Sequence, residues 1–128
     1  MSLEDFEILK KIGNGSFGKV FLAKHKPLNI LVAIKQLDKK TVVQLKKQDA
    51  VMREKAILKK LQDVPFIVEL LWTFMDDSSL YFVFDHCKYG NLSNLIDQQG
   101  ILSDALSRFY AAEIVLALKY MHERRIMH

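Results

Sequence analysis

Three glycines, one lysine and one glutamate carry the chemistry legible in this chain. Gly13-Asn14-Gly15-Ser16-Phe17-Gly18-Lys19-Val20 is a glycine-rich stretch. Val32-Ala33-Ile34-Lys35 is an apolar run ending on a cation, and Glu54 follows in a segment of helical pattern. Glycine lets backbone N–H groups approach phosphate oxygens with no Cβ in the way. A lysine offers the same oxygens a point charge, and a carboxylate can hold that lysine in place. Together the three read as a site for nucleotide phosphates.

Each element also has an ordinary explanation. G-x-G-x-x-G occurs in plain hairpins, and it occurs in the dinucleotide-binding turn. For that turn Asp38, 20 residues past Gly18, would stand as the ribose-binding acid. Such a turn needs a helix directly after its glycines, whereas Lys19 to His25 reads as a strand and Pro27 breaks any helix. Strand, flap and strand is the other order, and Val20 completes G-x-G-x-x-G-x-V. Lys35 could be a solvated strand end. By strand parity it shares a face with Ala33, whose small side chain leaves room for a flat ring with the lysine reaching beyond. On a helical wheel Ala50, Val51, Ile57, Leu58 and Leu61 form an apolar arc with Glu54 near its centre. A carboxylate there is costly unless paired, and Lys35 is the partner the pattern offers. A shifted helix register would instead let Glu54 reach water.

These residues need strands and a helix to position them. Apolar patterning predicts strands over Phe6–Ile12, Phe17–His25, Ile30–Leu37, Ile67–Met75 and Leu80–Phe84, with one helix from about Gln48 to Leu61. Turn chemistry at Gly13–Gly15, Pro27-Leu28-Asn29 and Asp76-Asp77-Ser78-Ser79 separates the strands. Near residue 88 the pattern turns helical. A short helix spans about Leu92 to Gln98 and stops at Gly100; a long one, capped by Ser103, runs to about Glu123. The expected class is α+β, with a small sheet-rich lobe over 1–88 and the first two helices of a helical lobe over 89–128.

Composition narrows the setting. The 128 residues are half hydrophobic and 27% charged, which is globular rather than disordered. The net charge of +4 gathers in Lys39, Lys40, Lys46, Lys47, Lys55, Lys59 and Lys60. These form either a solvated helix face or a docking site for something anionic. Nucleic acid is disfavoured, because no aromatic residues interleave with the lysines. One cysteine, Cys87, permits no internal disulfide and suits a reducing, cytoplasmic setting. No signal peptide is visible, and no run approaches a membrane span, so no membrane contact is expected from this segment.

The whole chain resembles the N-terminal half of a eukaryotic protein kinase catalytic domain of the AGC group of Ser/Thr kinases. Beyond the glycine loop, Lys35 and Glu54, the likeness lies in Leu3-Glu4-Asp5-Phe6, Leu80-Tyr81-Phe82-Val83-Phe84 and Arg108-Phe109-Tyr110-Ala111-Ala112-Glu113-Ile114-Val115. Trp72-Thr73-Phe74-Met75-Asp76-Asp77 and Arg53-Glu54-Lys55 are similar to the 3-phosphoinositide-dependent kinases. The resemblance implies a five-stranded antiparallel sheet with a regulatory helix. It implies ATP as cofactor, Mg²⁺ in the complete enzyme, a protein substrate and a monomer. Gly13, Asn14, Gly15, Ser16, Phe17 and Gly18 would cover the phosphates. Ile12, Val20 and Ala33 would sandwich adenine, with Phe84 at the back of the pocket. Backbone groups of Asp85 and Cys87 would meet the adenine edge. Lys35 would contact the α- and β-phosphates, held by Glu54. Asn91 stands where the group usually has a ribose-binding acid.

The resemblance implies a second site as well. Lys39, Val42, Val43, Val51, Met52, Met75 and Leu80 align with a pocket for a hydrophobic, often phosphorylated, peptide motif; the other reading makes them core residues. His128 would open the His-Arg-Asp triplet, and no Asp-Phe-Gly occurs in the sequence. Without the positioning acid and the Mg²⁺ ligands these 128 residues are expected to transfer no phosphate and to bind ATP weakly. Two readings stand: part of an ATP-dependent Ser/Thr kinase, or a non-catalytic module that binds nucleotide or a partner kinase.

Overall fold

Short apolar runs in the first half build one antiparallel sheet. The computed structural model describes residues 1–15 and 17–128. After a 3₁₀ turn at Leu3–Asp5 come β1 (Phe6–Gly15), β2 (Gly18–His25), β3 (Ile30–Asp38), α1 (Lys39–Gln44), α2 (Gln48–Lys60), β4 (Leu70–Met75), β5 (Ser79–Asp85), α3 (Leu92–Gln99) and α4 (Asp104–Glu123). The sheet order is β1-β2-β3-β5-β4 with every neighbouring pair antiparallel. This is the five-stranded sheet expected, and it leaves no parallel βαβ unit for a dinucleotide turn. Asp38 instead caps α1, its Oδ1 accepting from Thr41 N at 2.7 Å and Thr41 Oγ1 at 2.6 Å.

Register assigns the two sheet faces. On one, Phe6, Ala23, Val32, Ile34, Tyr81 and Val83 are buried, with Trp72 and Phe74 packed against them. Phe74 stacks on Phe6 at 5.7 Å and on Tyr81 at 4.6 Å between ring centroids. On the other, Leu37 and Phe82 join Val42 of α1 and Val51 of α2, with Phe17, Leu58, Leu80 and Phe84 against them. Strand parity thus places Ala33, Lys35 and Leu37 toward the helices, and Val32 and Ile34 toward the aromatic layer.

Chain tracing gives two compact units, Met1–Lys59 with Val68–His86, and Lys60–Ile67 with Cys87–His128. The patterning change near residue 88 lies close to the break between His86 and Cys87. Assignment of 60–67 to the second unit has no counterpart in the sequence pattern. It also explains why β4 begins at Leu70 rather than Ile67: Pro65 and Phe66, the latter at φ 66°, turn the chain first. Helix α1 was not expected, because six residues show no clear helical period and Thr41-Val42-Val43 is β-branched. In the second unit Asn91 caps α3, Gly100 ends it at φ 76°, and Ser103 caps α4.

The β4–β5 turn is tied down by Asp76. Its carboxylate accepts from Tyr81 Oη at 2.7 Å, Ser79 N at 2.7 Å, Ser78 N at 2.8 Å and Ser78 Oγ at 3.1 Å. These donors, Tyr81 first, hold its pKa down at about 2. A carboxyl depressed on folding contributes stability fully above its ordinary value of 3.8 and loses it as pH falls toward about 2. Asp76→Asn should therefore be less stable at neutral pH and lose less on acidification through that window. Thermal unfolding against pH checks this; superimposable acid profiles would contradict it.

Candidate functional site

The residues of the proposed phosphate site in the first unit converge. Lys35 on β3 lies opposite Val20 of β2 and Phe82 of β5, so its side chain leaves the sheet on the helix side. There its Nζ donates to Glu54 Oε1 of α2 at 2.7 Å. The pair is only partly shielded, the side chains being 23% and 37% exposed. The α2 face turned inward is Val51, Glu54, Lys55 and Leu58, at i, i+3, i+4 and i+7. Ala50, expected on the apolar arc, is exposed, while Glu54 stays within the inward-facing arc.

The glycines act for different reasons. Gly13 pairs with Val20, Asn14 with Lys19, and Gly15 with Gly18, so the motif is a hairpin tip. A Cβ on Gly15 would sit 3.8 Å from Lys35 Cε, which places the loop directly against the lysine. A Cβ on Gly18 would fall 1.7 Å from the Gln36 carbonyl oxygen, so this glycine is required by the approach of β3. The third glycine of the motif therefore serves strand packing, a role the sequence pattern does not separate from phosphate binding. Phe17 packs partly buried against the Leu37–Val51 cluster, and its carbonyl accepts from Asp38 N at 3.1 Å. Ser16, named with the loop, lies outside the described residues.

Ala33 pairs with Leu22 and Phe84, and these share the face of Lys35. Phe84 is partly buried against the helix-side core. Ile12 sits where the β1–β2 register shifts, between the paired Lys11 and Gly13, and is exposed. Asp85 N donates to Glu69 O at 3.2 Å, so its amide is already engaged within the first unit. Cys87 and Asn91 belong to the second unit. The Cys87 carbonyl accepts from Gly90 N at 3.1 Å, and the Asn91 side chain is taken up as the α3 cap, accepting from Asn94 N at 2.8 Å.

Of the peptide-docking residues, Val51, Met52, Met75 and Leu80 line one concavity of about 220 Å³, together with Lys55, Thr73, Phe74 and Phe82. The remaining three are elsewhere. Val42 is a core residue, turned inward by α1. Lys39 and Val43 line a different, shallow concavity with Lys40 and Gln44. Lys39 Nζ also donates to the Asp76 carbonyl. The cation at the apolar concavity is therefore Lys55, overlooked in the sequence although it follows Glu54 directly. Its signal was the inward stripe at i+4 from Val51.

In the second unit a concavity of about 570 Å³ is lined by Phe66, Ile67, Leu92, Tyr110, Ile114 and Met121, among others. Phe109, Ile114 and Val115 on α4 are exposed. Among the described residues no group of three or more His, Cys, Asp or Glu could hold a metal ion, and no helix is long and apolar enough to cross a membrane.

Comparison with known proteins agrees with this arrangement. Residues 6–128 match the protein kinase domain family. The chain is 42% identical over 127 residues to 3-phosphoinositide-dependent protein kinase B of Dictyostelium discoideum, covering 99% of this chain and 14% of that protein. It is 40% identical over 124 residues to the human serine/threonine-protein kinase Sgk1, covering 97% of this chain and 29% of that protein. The chain thus spans less than a third of either relative. On a match that runs through both units and across the whole of the Lys35–Glu54 site, the chain belongs to the protein kinase domain family, and the relatives it resembles are AGC-type kinases.

Proposed function

We propose that the chain forms the ATP-binding part of a kinase that transfers the γ-phosphate of ATP to serine or threonine of a protein substrate. The observation that carries this reading is Gly15 set against Lys35, whose amine Glu54 holds at 2.7 Å. The residues fit the nucleotide: the space a Cβ on Gly15 would occupy adjoins the lysine stem. Lys35 would bind the α- and β-phosphates, and Glu54 orients its amine. Val20, Ala33, Ile12 and Phe84 would enclose adenine, with backbone groups of Asp85 and Cys87 at its edge. The roles of Cys87, Asn91 and Ser16 rest on the family likeness. ATP, when bound, supplies the phosphoryl group, and positioning with charge neutralisation is nearly all of this catalysis. Mg²⁺, a monomeric enzyme and a cytoplasmic setting belong to the same proposal. The test is purified protein with labelled ATP and a generic Ser/Thr peptide, extended through whatever chain follows His128: phosphorylation abolished by Lys35→Met supports the reading, and phosphorylation untouched by that change contradicts it.

A second part of the proposal assigns the concavity between α2, β4 and β5 to a hydrophobic peptide motif bearing an acidic or phosphorylated residue. Lys55 is its cation, and among the described residues it forms no salt bridge. Val51 is buried in the core, so changing it would test folding rather than docking. Lys55→Glu should weaken a Phe-rich phosphopeptide about tenfold, raised salt should weaken it further, and Lys39→Ala should leave it nearly unchanged. Calorimetry showing no saturable binding would contradict the assignment.

A further inference from the structure

The elbow between α1 and α2 is built from a conformation its sequence does not favour. Lys47 N donates to Val42 O at 2.9 Å and Lys46 N to Val43 O at 3.0 Å. This is the double bond pattern that closes a helix with a left-handed residue, usually glycine. Here that residue is Lys46, at φ 52°. A lysine there is strained where glycine would be relaxed, so the position keeps a charge at the expense of stability.

What the elbow presents is amphipathic. Val43 and Leu45 are 56% and 51% exposed. Lys40, Lys46 and Lys47 beside them are exposed and form no salt bridge among the described residues. Residues 38–49 hold four lysines against two aspartates, a net of +2. Next to the tip, Lys39, Lys40, Val43 and Gln44 line an open concavity of about 330 Å³, rimmed by donors. None of these residues belongs to the nucleotide site.

The geometry points to a bilayer surface with anionic headgroups as the partner of this elbow. Two exposed aliphatic side chains of the turn enter the headgroup boundary, the lysines meet the anionic lipids, and the shallow concavity has room for a headgroup phosphate. An acidic protein partner would complement the charge but would leave Val43 and Leu45 without an apolar groove of their own. Nucleic acid would want aromatic side chains, and the elbow has none. The absence of a membrane-spanning run, on which the expectation of no membrane contact rested, does not bear on a surface that lies on the bilayer.

Flotation of the full chain with phosphatidylcholine vesicles, with and without phosphatidylserine, tests this. Binding should require phosphatidylserine and fall with salt. The combined change Lys40→Ala, Lys46→Ala and Lys47→Ala should weaken it on the order of a hundredfold, and Leu45→Ser about tenfold. Lys46→Gly separates charge from folding: it should bind about fivefold more weakly while unfolding at a higher temperature. Equal binding to both vesicle types, or no loss in the triple variant, would overturn the proposal. Tighter binding to a polyglutamate peptide than to the anionic vesicles would also overturn it, in favour of an acidic protein partner.

Discussion

Gly18→Ala is expected to destabilise the first unit by about 3 kcal/mol or more. The added methyl carbon would fall 1.7 Å from the Gln36 carbonyl oxygen and 2.8 Å from its carbon. Both are backbone atoms of β3, so no rotamer change relieves the contact. The strand would have to move, and β3 is the strand least able to. It pairs with β2 and β5 on its two edges, and its Val32, Ile34 and Leu37 are fully buried. Gly13→Ala is the internal control: its Cβ would meet only Val20 side-chain atoms at 3.7 Å and beyond, an ordinary contact. Chemical unfolding of both variants should show a large loss for Gly18 and a small one for Gly13. Equal effects would mean that β2 and β3 do not approach as described.

The strands were legible because each is an apolar run bounded by turn residues. Most boundaries fall within a few residues of expectation. The exceptions have physical causes. Helix α1 is too short to show a period. The late start of β4 depends on Phe66 adopting a left-handed backbone, which no composition rule requires. At the site, Lys35 and Glu54 were found together because a carboxylate in an apolar stripe asks for a partner. The meaning of Gly18 could not be read, since a pattern shows that a glycine is present but not which backbone presses on it. The docking set divided for a related reason. Val42, Val43 and Lys39 are neighbours in sequence, but successive residues on α1 face the core, the elbow and the β4–β5 turn.

The second large effect concerns nucleotide rather than stability. Lys35→Met removes an ion pair that is partly open to water, so its cost in folding should be only about 0.5–1 kcal/mol. A buried pair would have cost roughly 3–5 kcal/mol, and the 37% exposure of Glu54 argues for the smaller figure. A charge-assisted contact to phosphate is worth about 1.5–3 kcal/mol, which corresponds to roughly ten- to hundredfold in affinity. ATP binding should therefore fall by that factor in a protein that remains folded. Glu54→Gln should give a smaller loss, because it leaves the amine in place and only loosens its direction.

Calorimetric titration of the chain and of Lys35→Met with ATP and with adenosine tests the central claim, that Lys35 set under the glycine loop and held by Glu54 binds nucleotide phosphates. The parent chain should prefer ATP, and the variant should lose most of that preference while binding adenosine unchanged. An ATP affinity identical in the two proteins, or an equal loss for ATP and adenosine, would contradict it.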